Sequence, residues 1–250
     1  MTDSSGMALQ LRDLVLSYGG APVVDGLDLD VAPGEILVLT GPSGCGKSTV
    51  LRAIAGLLQP DGGEVLADGE RVTTTSRDRA MVFQDNALLP WRTVQSNVEL
   101  ALKLAGAPRQ GRRAEAIRWI ADVGLTGFER YLPKSLSGGM RQRVQLARGL
   151  AGAPRAVMMD EPFGALDAQT RATMQRLLID TWRAHPTTVV FVTHDVDEAL
   201  LIGDRIAVLG RAGQPLRALL DVPSPRDTTV VRSAVRAEVI AALDHSELIS

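Results

Sequence analysis

The sequence predicts an α/β protein with a mainly parallel core sheet, an antiparallel β lobe and an inserted helical subdomain. Short apolar runs that suit buried strands alternate with segments of helical spacing, which is typical of a parallel sheet. The opening segment, Leu9 to Val31, has shorter apolar alternations broken by Gly19-Gly20 and predicts edge strands of an antiparallel sheet. From about 86 to 153 the pattern is mainly helical, with Pro108 and Pro133 as breaks.

Composition favours one folded unit without a strong charge. The chain has 250 residues, of which 45% are hydrophobic, enough for a full core. Its net charge is -2, so nothing in the overall charge favours binding to nucleic acid. The single cysteine, Cys45, permits no internal disulfide and suits a reducing cytoplasm. The polar start lacks a signal-peptide pattern, and no apolar run approaches the ~18 residues of a membrane-spanning helix.

The β lobe and the first core strand follow from short local patterns. Asp61-Gly62 and Asp68-Gly69 predict hairpin turns on either side of a strand that returns to the lobe. Ile36 to Thr40 predicts a buried strand that leads through a glycine-rich turn into a helix. The predicted apolar face of that helix is Leu51, Ile54, Ala55 and Leu58.

Later elements complete the predicted core. One face of the helical subdomain is predicted to be Ala114, Ile117, Ile120 and Ala121. The strand and helix alternation then resumes with a strand at Ala156–Met159, a helix face from Met174 to Trp182, a strand at Thr188–Thr193 and a last strand at Arg205–Leu209. We expect a domain over 7–222 with its helical subdomain at about 86–153, and a short C-terminal extension over 223–250 that is helical in part.

A phosphate-binding loop is the most specific motif, because it follows a predicted strand and opens a predicted helix. Its glycines allow backbone N–H groups to surround phosphates, and the helix N-terminus adds partial positive charge. Lys47 would reach the β- and γ-phosphates, and the Ser48 hydroxyl would ligate Mg²⁺. The motif predicts a P-loop NTPase fold, and its nucleotide-binding residues are Gly41, Pro42, Ser43, Gly44, Cys45, Gly46, Lys47, Ser48 and Thr49.

Two further segments suit a nucleotide site. Asp160 and Glu161 end an apolar strand, where Asp160 would hold magnesium and Glu161 would orient the attacking water as a base. An acid pair that caps the following helix is the alternative. Ser137, Gly138 and Gly139 open a helix, with Ser137 as the N-cap and backbone N–H groups available for an anion. Taken alone, such a helix start is a weak signal.

Together these segments resemble the motif set of ABC transporter ATPases, in that family's order. The set comprises the phosphate loop, Gln84, Leu136–Met140, Val157–Glu161, Ala165-Leu166-Asp167 and His194. The resemblance extends from Tyr18 to about Leu209. It implies ATP and Mg²⁺ as cofactors and ATP hydrolysis as the reaction.

The resemblance also implies a role for each matching residue. Tyr18 would stack on adenine, although a core tyrosine is the alternative. Gln84 would contact magnesium and water, and His194 would contact the γ-phosphate. ABC ATPases work as head-to-tail homodimers, so Ser137 of one subunit would cover the ATP held by Lys47 of the other, with Asp167 at the interface. Met140 departs from the family's usual glutamine, and we expect activity to survive this change.

The stretch Phe83-Gln84-Asp85-Asn86 to Val94, with Asn97-Val98 after it, resembles the ATPases of nitrate, taurine and aliphatic sulfonate importers. This implies transmembrane permease subunits, indirectly an extracytoplasmic solute-binding protein, and a peripheral location on the cytoplasmic face of the cell membrane. Leu89, Pro90 and Trp91 would help to form the permease docking face or belong to the lobe core. We expect no additional regulatory domain of the kind that sugar-importer ATPases carry.

Several alternatives remain open. The chain could be a soluble ABC ATPase of DNA repair or translation, or an inactive nucleotide-binding scaffold. The importer's solute could also be another small molecule, such as a cofactor precursor. For Cys45 we favour a packing role over a redox sensor, because there is no resolving cysteine. For Arg141, Arg143 and Arg148 we favour a solvated helix face over RNA contact, and for His185 a surface position.

Overall fold

The structure, a computed structural model, describes residues 6–84, 87–164, 166–184, 186–227 and 232–244. The predictions for Asp85-Asn86, Ala165 and His185, and for the side chain of Tyr18, lie outside the described residues. The chain divides into two compact units. The first comprises Met1–Ser76 with Pro186–Ser250, and the second comprises Arg77–His185.

Strands and helices alternate from β7 to β9, whereas strands dominate the first part of the chain and helices the middle. The strands are β1 (Leu9–Tyr18), β2 (Ala21–Val31), β3 (Ile36–Thr40), β4 (Gly62–Ala67), β5 (Glu70–Arg71), β6 (Arg79–Val82), β7 (Ala156–Asp160), β8 (Thr188–Val192), β9 (Arg205–Leu209) and β10 (Leu216–Asp221). The helices are α1 (Lys47–Ala55), α2 (Val94–Leu104), α3 (Arg109–Asp122), α4 (Gly138–Ala151), α5 (Ala168–Ala184), α6 (Val196–Ile202) and α7 (Ser233–Asp244). The predicted strands at β3, β7, β8 and β9 are therefore confirmed.

The first unit contains an antiparallel sheet in the order β2-β1-β4-β5. Leu9 of β1 pairs with Val31 of β2 on one side and with Ala67 of β4 on the other. Only β2 of the two predicted edge strands lies at an edge, so the prediction is wrong for β1. Apolar alternation reveals which face of a strand is buried, but it does not reveal how many neighbours pair with it.

The two predicted turns of this sheet have different outcomes. Asp68 and Gly69 join β4 to β5 with φ angles of 50° and 82°, as a two-residue hairpin loop requires, so this turn is confirmed. The turn at Asp61-Gly62 is wrong. Gly62 already belongs to β4 and pairs with Val15, and the chain enters this strand from the connection that follows α1, not from a neighbouring antiparallel strand.

The first unit also contains strands in the order β10-β9-β3-β8. All five residues of β3 are buried, and β3 runs parallel to both β8 and β9. The carboxyl ends of these strands therefore meet at one edge, where parallel α/β sheets bind ligands. Arg205–Leu209 is not the last strand, since β10 pairs with it in the antiparallel sense. No residue of β10 is fully buried, so its sequence lacks the continuous apolar run of a buried strand.

The second unit has a parallel pair, β6 and β7, and a helical cluster. Helices α2, α3 and α4 pack around one apolar core whose buried members are Leu88, Val94, Val98, Leu102, Ala116, Ile120, Val123, Leu125, Leu136, Val144, Ala147 and Ala151. Each helix contributes an apolar stripe, so the cluster is stabilised by burial of that shared stripe.

Two predicted helix faces need correction. Helix α3 buries Ala116 and Ile120, whereas Ile117 is exposed. Large apolar side chains suggested the wrong stripe, because a small alanine lies where the helices pack closely. Helix α1 buries Leu51, Ile54 and Ala55 as predicted, but it ends at Ala55, before Leu58.

Other helices agree with the sequence or were not predicted. Met174 and Leu178 are buried in α5 as expected, and α7 provides a helix in the C-terminal extension. Strand β6 and helix α6 escaped prediction, since they have only four and seven residues respectively. Across the described ranges, no helix combines the length and apolar character needed to span a membrane.

Candidate active site

The phosphate loop occupies the turn between the buried strand β3 and helix α1 in the first unit. Among the described residues no side chain caps α1 at Gly46, so the first turn of the helix is built from backbone alone. Such a terminus concentrates N–H donors and the positive end of the helix dipole. Gly41 and Cys45 are buried, while Ser43 and Gly44 are exposed, so the loop presents its middle to solvent.

Two glycines of the loop are required by the backbone. Gly46 has φ 95°, and a Cβ there would lie 2.7 Å from Val24 Cγ2. Gly41 has φ 151°, and a Cβ there would lie 2.8 Å from the carbonyl oxygen of Leu209. Left-handed φ and these close approaches exclude a larger side chain at both positions without displacement of a neighbour.

Lys47 folds back over the loop that precedes it. Its Nζ donates hydrogen bonds to the carbonyl oxygens of Gly41 at 2.8 Å and Pro42 at 2.9 Å. The residue is only 9% exposed, so a partly desolvated cation sits within the loop. Such an ammonium group suits the recognition of phosphate oxygens. Ser48 and Thr49 follow in the first turn of α1.

Cys45 is buried, with only 3% of its surface exposed. Its Sγ lies 3.7 Å from Lys47 Nζ and close to the position that a Cβ on Gly41 would occupy. A side chain in this position fills the inside of the loop, which agrees with the packing role predicted for it.

Asp160 and Glu161 end β7 in the second unit. Asp160 is 4% exposed at the carboxyl end of a wholly buried strand. Glu161 has φ 43°, an uncommon left-handed conformation for a non-glycine residue. Its Oε2 accepts a hydrogen bond from Gln84 Nε2 at 3.3 Å. Local backbone strain of this kind is often found at functional sites, and here it occurs at the residue whose carboxylate contacts the predicted glutamine.

Ser137 is the N-cap of α4, as predicted. Its Oγ accepts a hydrogen bond from Met140 N at 3.2 Å, and Gly138 and Gly139 begin the helix. Ser137 and Gly138 are exposed. Met140 packs against the helical core of the second unit, which gives a physical reason for an apolar residue at this position.

His194 and Asp167 stand at the start of two further helices. His194 is exposed between β8 and α6, next to Asp195, whose carboxylate caps α6 by accepting from Asp197 N and Glu198 N. Asp167 accepts from Thr170 N at 3.0 Å and Thr170 Oγ1 at 2.7 Å, and these bonds lower the pKa of its carboxyl group. A capping role is thus visible for Asp167.

The predicted site residues divide between the two units. The first unit holds the phosphate loop with Lys47, and His194. The second holds Gln84, Asp160, Glu161 and the segment that begins with Ser137. Within the second unit the structure brings Gln84 and Glu161 into direct contact, although 77 residues separate them.

Comparison with known proteins shows which family contains these motifs. The ABC transporter family matches residues 24–164. An uncharacterized ABC transporter ATP-binding protein, MJ0412 of Methanocaldococcus jannaschii, is 49% identical over 237 residues, which is 92% of this chain and 88% of that protein. The taurine import ATP-binding protein TauB of Pseudomonas syringae pv. tomato is 46% identical over 215 residues, covering 84% of this chain and 82% of its own. The chain belongs to the ABC transporter family.

A solved structure supports the same assignment. The dimeric structure of MJ0796, an ABC transporter cassette, has a TM-score of 0.77 and 32% identity, covering 86% of this chain and 99% of that one. A related dimeric structure in a post-hydrolysis state contains ADP and Pi. The predicted P-loop NTPase fold is confirmed by this likeness. As an ABC transporter ATPase, the chain binds ATP and hydrolyses it.

The prediction that the arginines of helix α4 form a solvated face is wrong for this ABC ATPase. Arg141 Nη1 donates to Leu136 O at 2.6 Å, Arg143 Nη1 to Val123 O at 3.2 Å, and Arg148 Nη1 to Ala87 O at 2.8 Å. All three are partly buried. They tie the helix to neighbouring loops, which a count of charges along the sequence cannot show.

The structural role of two buried amide side chains, those of Asn97 and Gln145, was also not predicted from the sequence. Asn97 is fully buried and exchanges hydrogen bonds with the backbone of Leu89, and it also donates to the carbonyl oxygens of Arg92 and Thr93. Gln145 donates to Phe83 O. A polar residue among apolar helix positions was the signal available. Trp91, which lies between Leu89 and helix α2, is 73% exposed, so the lobe-core interpretation is wrong for it.

Proposed function

We propose that this chain is the ATP-hydrolysing subunit of an ABC importer, and that it couples hydrolysis to uptake of a small solute of the sulfonate, taurine or nitrate class. Identity of 46% to a protein named for taurine import, over 84% of the chain, carries the importer assignment. Three further relatives, from Yersinia strains, have the same name at 45% identity over 80% of the chain.

The reaction uses Mg²⁺ with ATP in this proposal. The Ser48 hydroxyl, the Asp160 carboxylate and the Gln84 amide are oxygen donors, the kind that magnesium prefers. A nearly buried carboxylate at a strand end, as Asp160 is, fits a bound cation. When bound, the cation would neutralise phosphate charge as it develops. Lys47 holds the β- and γ-phosphates, His194 contacts the γ-phosphate, and Glu161 orients the attacking water.

Two copies of the chain act together. The dimeric cassettes of the solved neighbours support a pair of subunits. In the proposed arrangement the pair is head-to-tail, and Ser137, Gly138 and Gly139 of one subunit cover the ATP of the other. In the first turn of α4 Ser137 Oγ accepts from Met140 N, and the N–H groups of Gly138 and Gly139 remain available for phosphate. The pair docks on permease subunits at the cytoplasmic face of the membrane, and exposed Trp91 belongs to that docking face.

Co-purification tests the coupling role. The tagged Glu161→Gln variant, which is expected to bind ATP without rapid turnover, is purified from solubilised membranes with ATP present, and its partners are identified. A multispanning permease is the expected partner. The matched control is the Glu161→Gln, Lys47→Ala double variant, from which ATP-dependent dimerisation is lost. Recovery of ribosomal or DNA-repair proteins instead would contradict the importer assignment and favour a soluble ABC ATPase.

Growth identifies the solute class. A strain without this chain is expected to lose growth on taurine or an alkanesulfonate as sole sulfur source, or on nitrate as sole nitrogen source. Complementation with the wild-type chain restores growth, and Glu161→Gln does not. Unchanged growth on all three would reject the proposed solute class without affecting the ATPase assignment.

A further inference from the structure

Two side chains of helix α4 hold the backbone on either side of Gln84. Gln145 Nε2 donates to Phe83 O at 2.6 Å, immediately before Gln84. Arg148 Nη1 donates to Ala87 O at 2.8 Å, three residues after it. Gln145 and Arg148 are three positions apart, so they project from the same face of the helix. The helix therefore contacts the backbone before and after Gln84, at Phe83 and at Ala87.

Close packing makes this attachment stiff. Gly149 of α4 faces Val82 at the end of β6, and a Cβ on Gly149 would lie 2.7 Å from Val82 Cγ2. Only glycine allows the helix and the strand to approach this closely. Burial lowers the pKa of Arg148, whose guanidinium is partly removed from water. Val82 at the end of β6 and the backbone of Phe83 are thus held against one face of α4.

The burial of Gln145 indicates why an amide is present there. The residue is 1% exposed, and its Oε1 has no hydrogen-bond partner among the described residues. A buried unpaired oxygen is unfavourable, whereas leucine has a similar volume and no polar atoms. What the amide adds at this position is its bond to Phe83 O.

We propose that Gln145 and Arg148 are positioning residues that fix the backbone around Gln84 and thereby hold its amide against Glu161. The same helix begins at Ser137, so a displacement of Ser137 along the helix axis would reach Gln84 through these two bonds. The inference rests on the roles proposed above for Gln84 and Glu161. Helix α4 thereby links the segment proposed to cover the partner's ATP to the glutamine of the subunit's own site.

Steady-state kinetics test the positioning role. Gln145→Leu and Arg148→Met are expected to lower kcat about tenfold while KM for ATP stays within about twofold, because misplacement of a catalytic group reduces the chemical step. Arg148→Lys, which keeps one donor and the charge, is expected to lie between Arg148→Met and the wild type. It also provides a folded variant should Arg148→Met fail to fold.

Arg143→Met is the matched control, since Arg143 also ties α4 to backbone carbonyls, but those of Val123 and Gly124. Arg143→Met and Arg148→Met should both show a lowered Tm, whereas of these two only Arg148→Met should show a lowered kcat. An equal fall in kcat for Arg143→Met would overturn the inference, because general weakening of the helical cluster would then explain both.

A double-mutant cycle separates this inference from the proposed function. In a Gln84→Ala background, Gln145→Leu should cause no further fall in kcat, because it acts through the amide that is already absent. Additive losses would overturn the positioning role. A low kcat for Gln84→Ala with wild-type kcat for Gln145→Leu would overturn the inference alone. Wild-type kcat for Gln84→Ala would remove the premise from both.

Discussion

The phosphate loop and the Gln84–Glu161 region are built in different ways. The polar contacts of Lys47 reach back only five or six residues, to Pro42 and Gly41. In the second region 77 residues separate Gln84 from Glu161, and 61 or 62 residues separate the α4 side chains from the carbonyls they bind. The loop is a local structure whose backbone shape suits phosphate, whereas the second region depends on how helices and strands pack.

Loss of the proposed base should have the largest effect. Glu161→Gln is expected to lower kcat by about 10²- to 10⁴-fold, since it removes proton transfer from the attacking water. ATP affinity should remain near the wild-type value, because the phosphate loop is unchanged. ATPase kinetics and nucleotide titration measure both quantities. Wild-type turnover in this variant would contradict the proposed role of Glu161. It would also contradict the division in which the loop binds ATP and the Gln84–Glu161 region supports hydrolysis.

Loss of the loop cation should act on binding. Lys47→Ala removes charge-assisted hydrogen bonds of about 1.5–3 kcal/mol, which corresponds to roughly a 10- to 150-fold weaker ATP affinity. Titration with ATP measures the change. Lys103→Ala, which removes an exposed lysine from α2, is the control for net charge and should leave affinity unchanged. An equal weakening in both variants would contradict the local role of Lys47.

A pair of glycine variants compares backbone conformation with space. Gly44→Ala places a side chain at φ 79° with no described atom within 4 Å, so left-handed strain of about 1–2 kcal/mol is the expected cost. Gly46→Ala has similar strain and also meets Val24 Cγ2. Thermal unfolding should give a lower Tm for Gly46→Ala than for Gly44→Ala. The reverse order would show that the loop adjusts to the added methyl group.

The smallest expected change in stability concerns helix caps. Ser137→Ala and Thr93→Ala each remove a side-chain N-cap, of α4 and α2 respectively, and each should reduce stability by about 1 kcal/mol. Calorimetry should therefore show similar falls in Tm. ATPase activity should fall only in Ser137→Ala, because Ser137 covers the partner's nucleotide in the proposed dimer. Equal activity losses would indicate that capping alone explains both.

Predictability follows the same division between the two regions. The loop and the Ser137 cap could be predicted, because glycine spacing and a capping hydroxyl act over a few neighbouring residues. The buried strands β3 and β7 were evident from continuous apolar runs. The stripe of α3 was misjudged, since the residue that packs there is Ala116 rather than the larger Ile117. Packing distance, which decides this, is set by the partner helices.

The sequence by itself determined the fold class, the phosphate loop and the family, because these depend on local backbone preferences and on residue types at short spacing. Only the tertiary structure decided that Gln84 meets Glu161, that the arginines of α4 bind loop carbonyls, and that Gln145 holds the carbonyl of Phe83. These contacts join residues distant in the chain. Their geometry is set by which faces of the helices and strands are buried together, a property that no single segment carries.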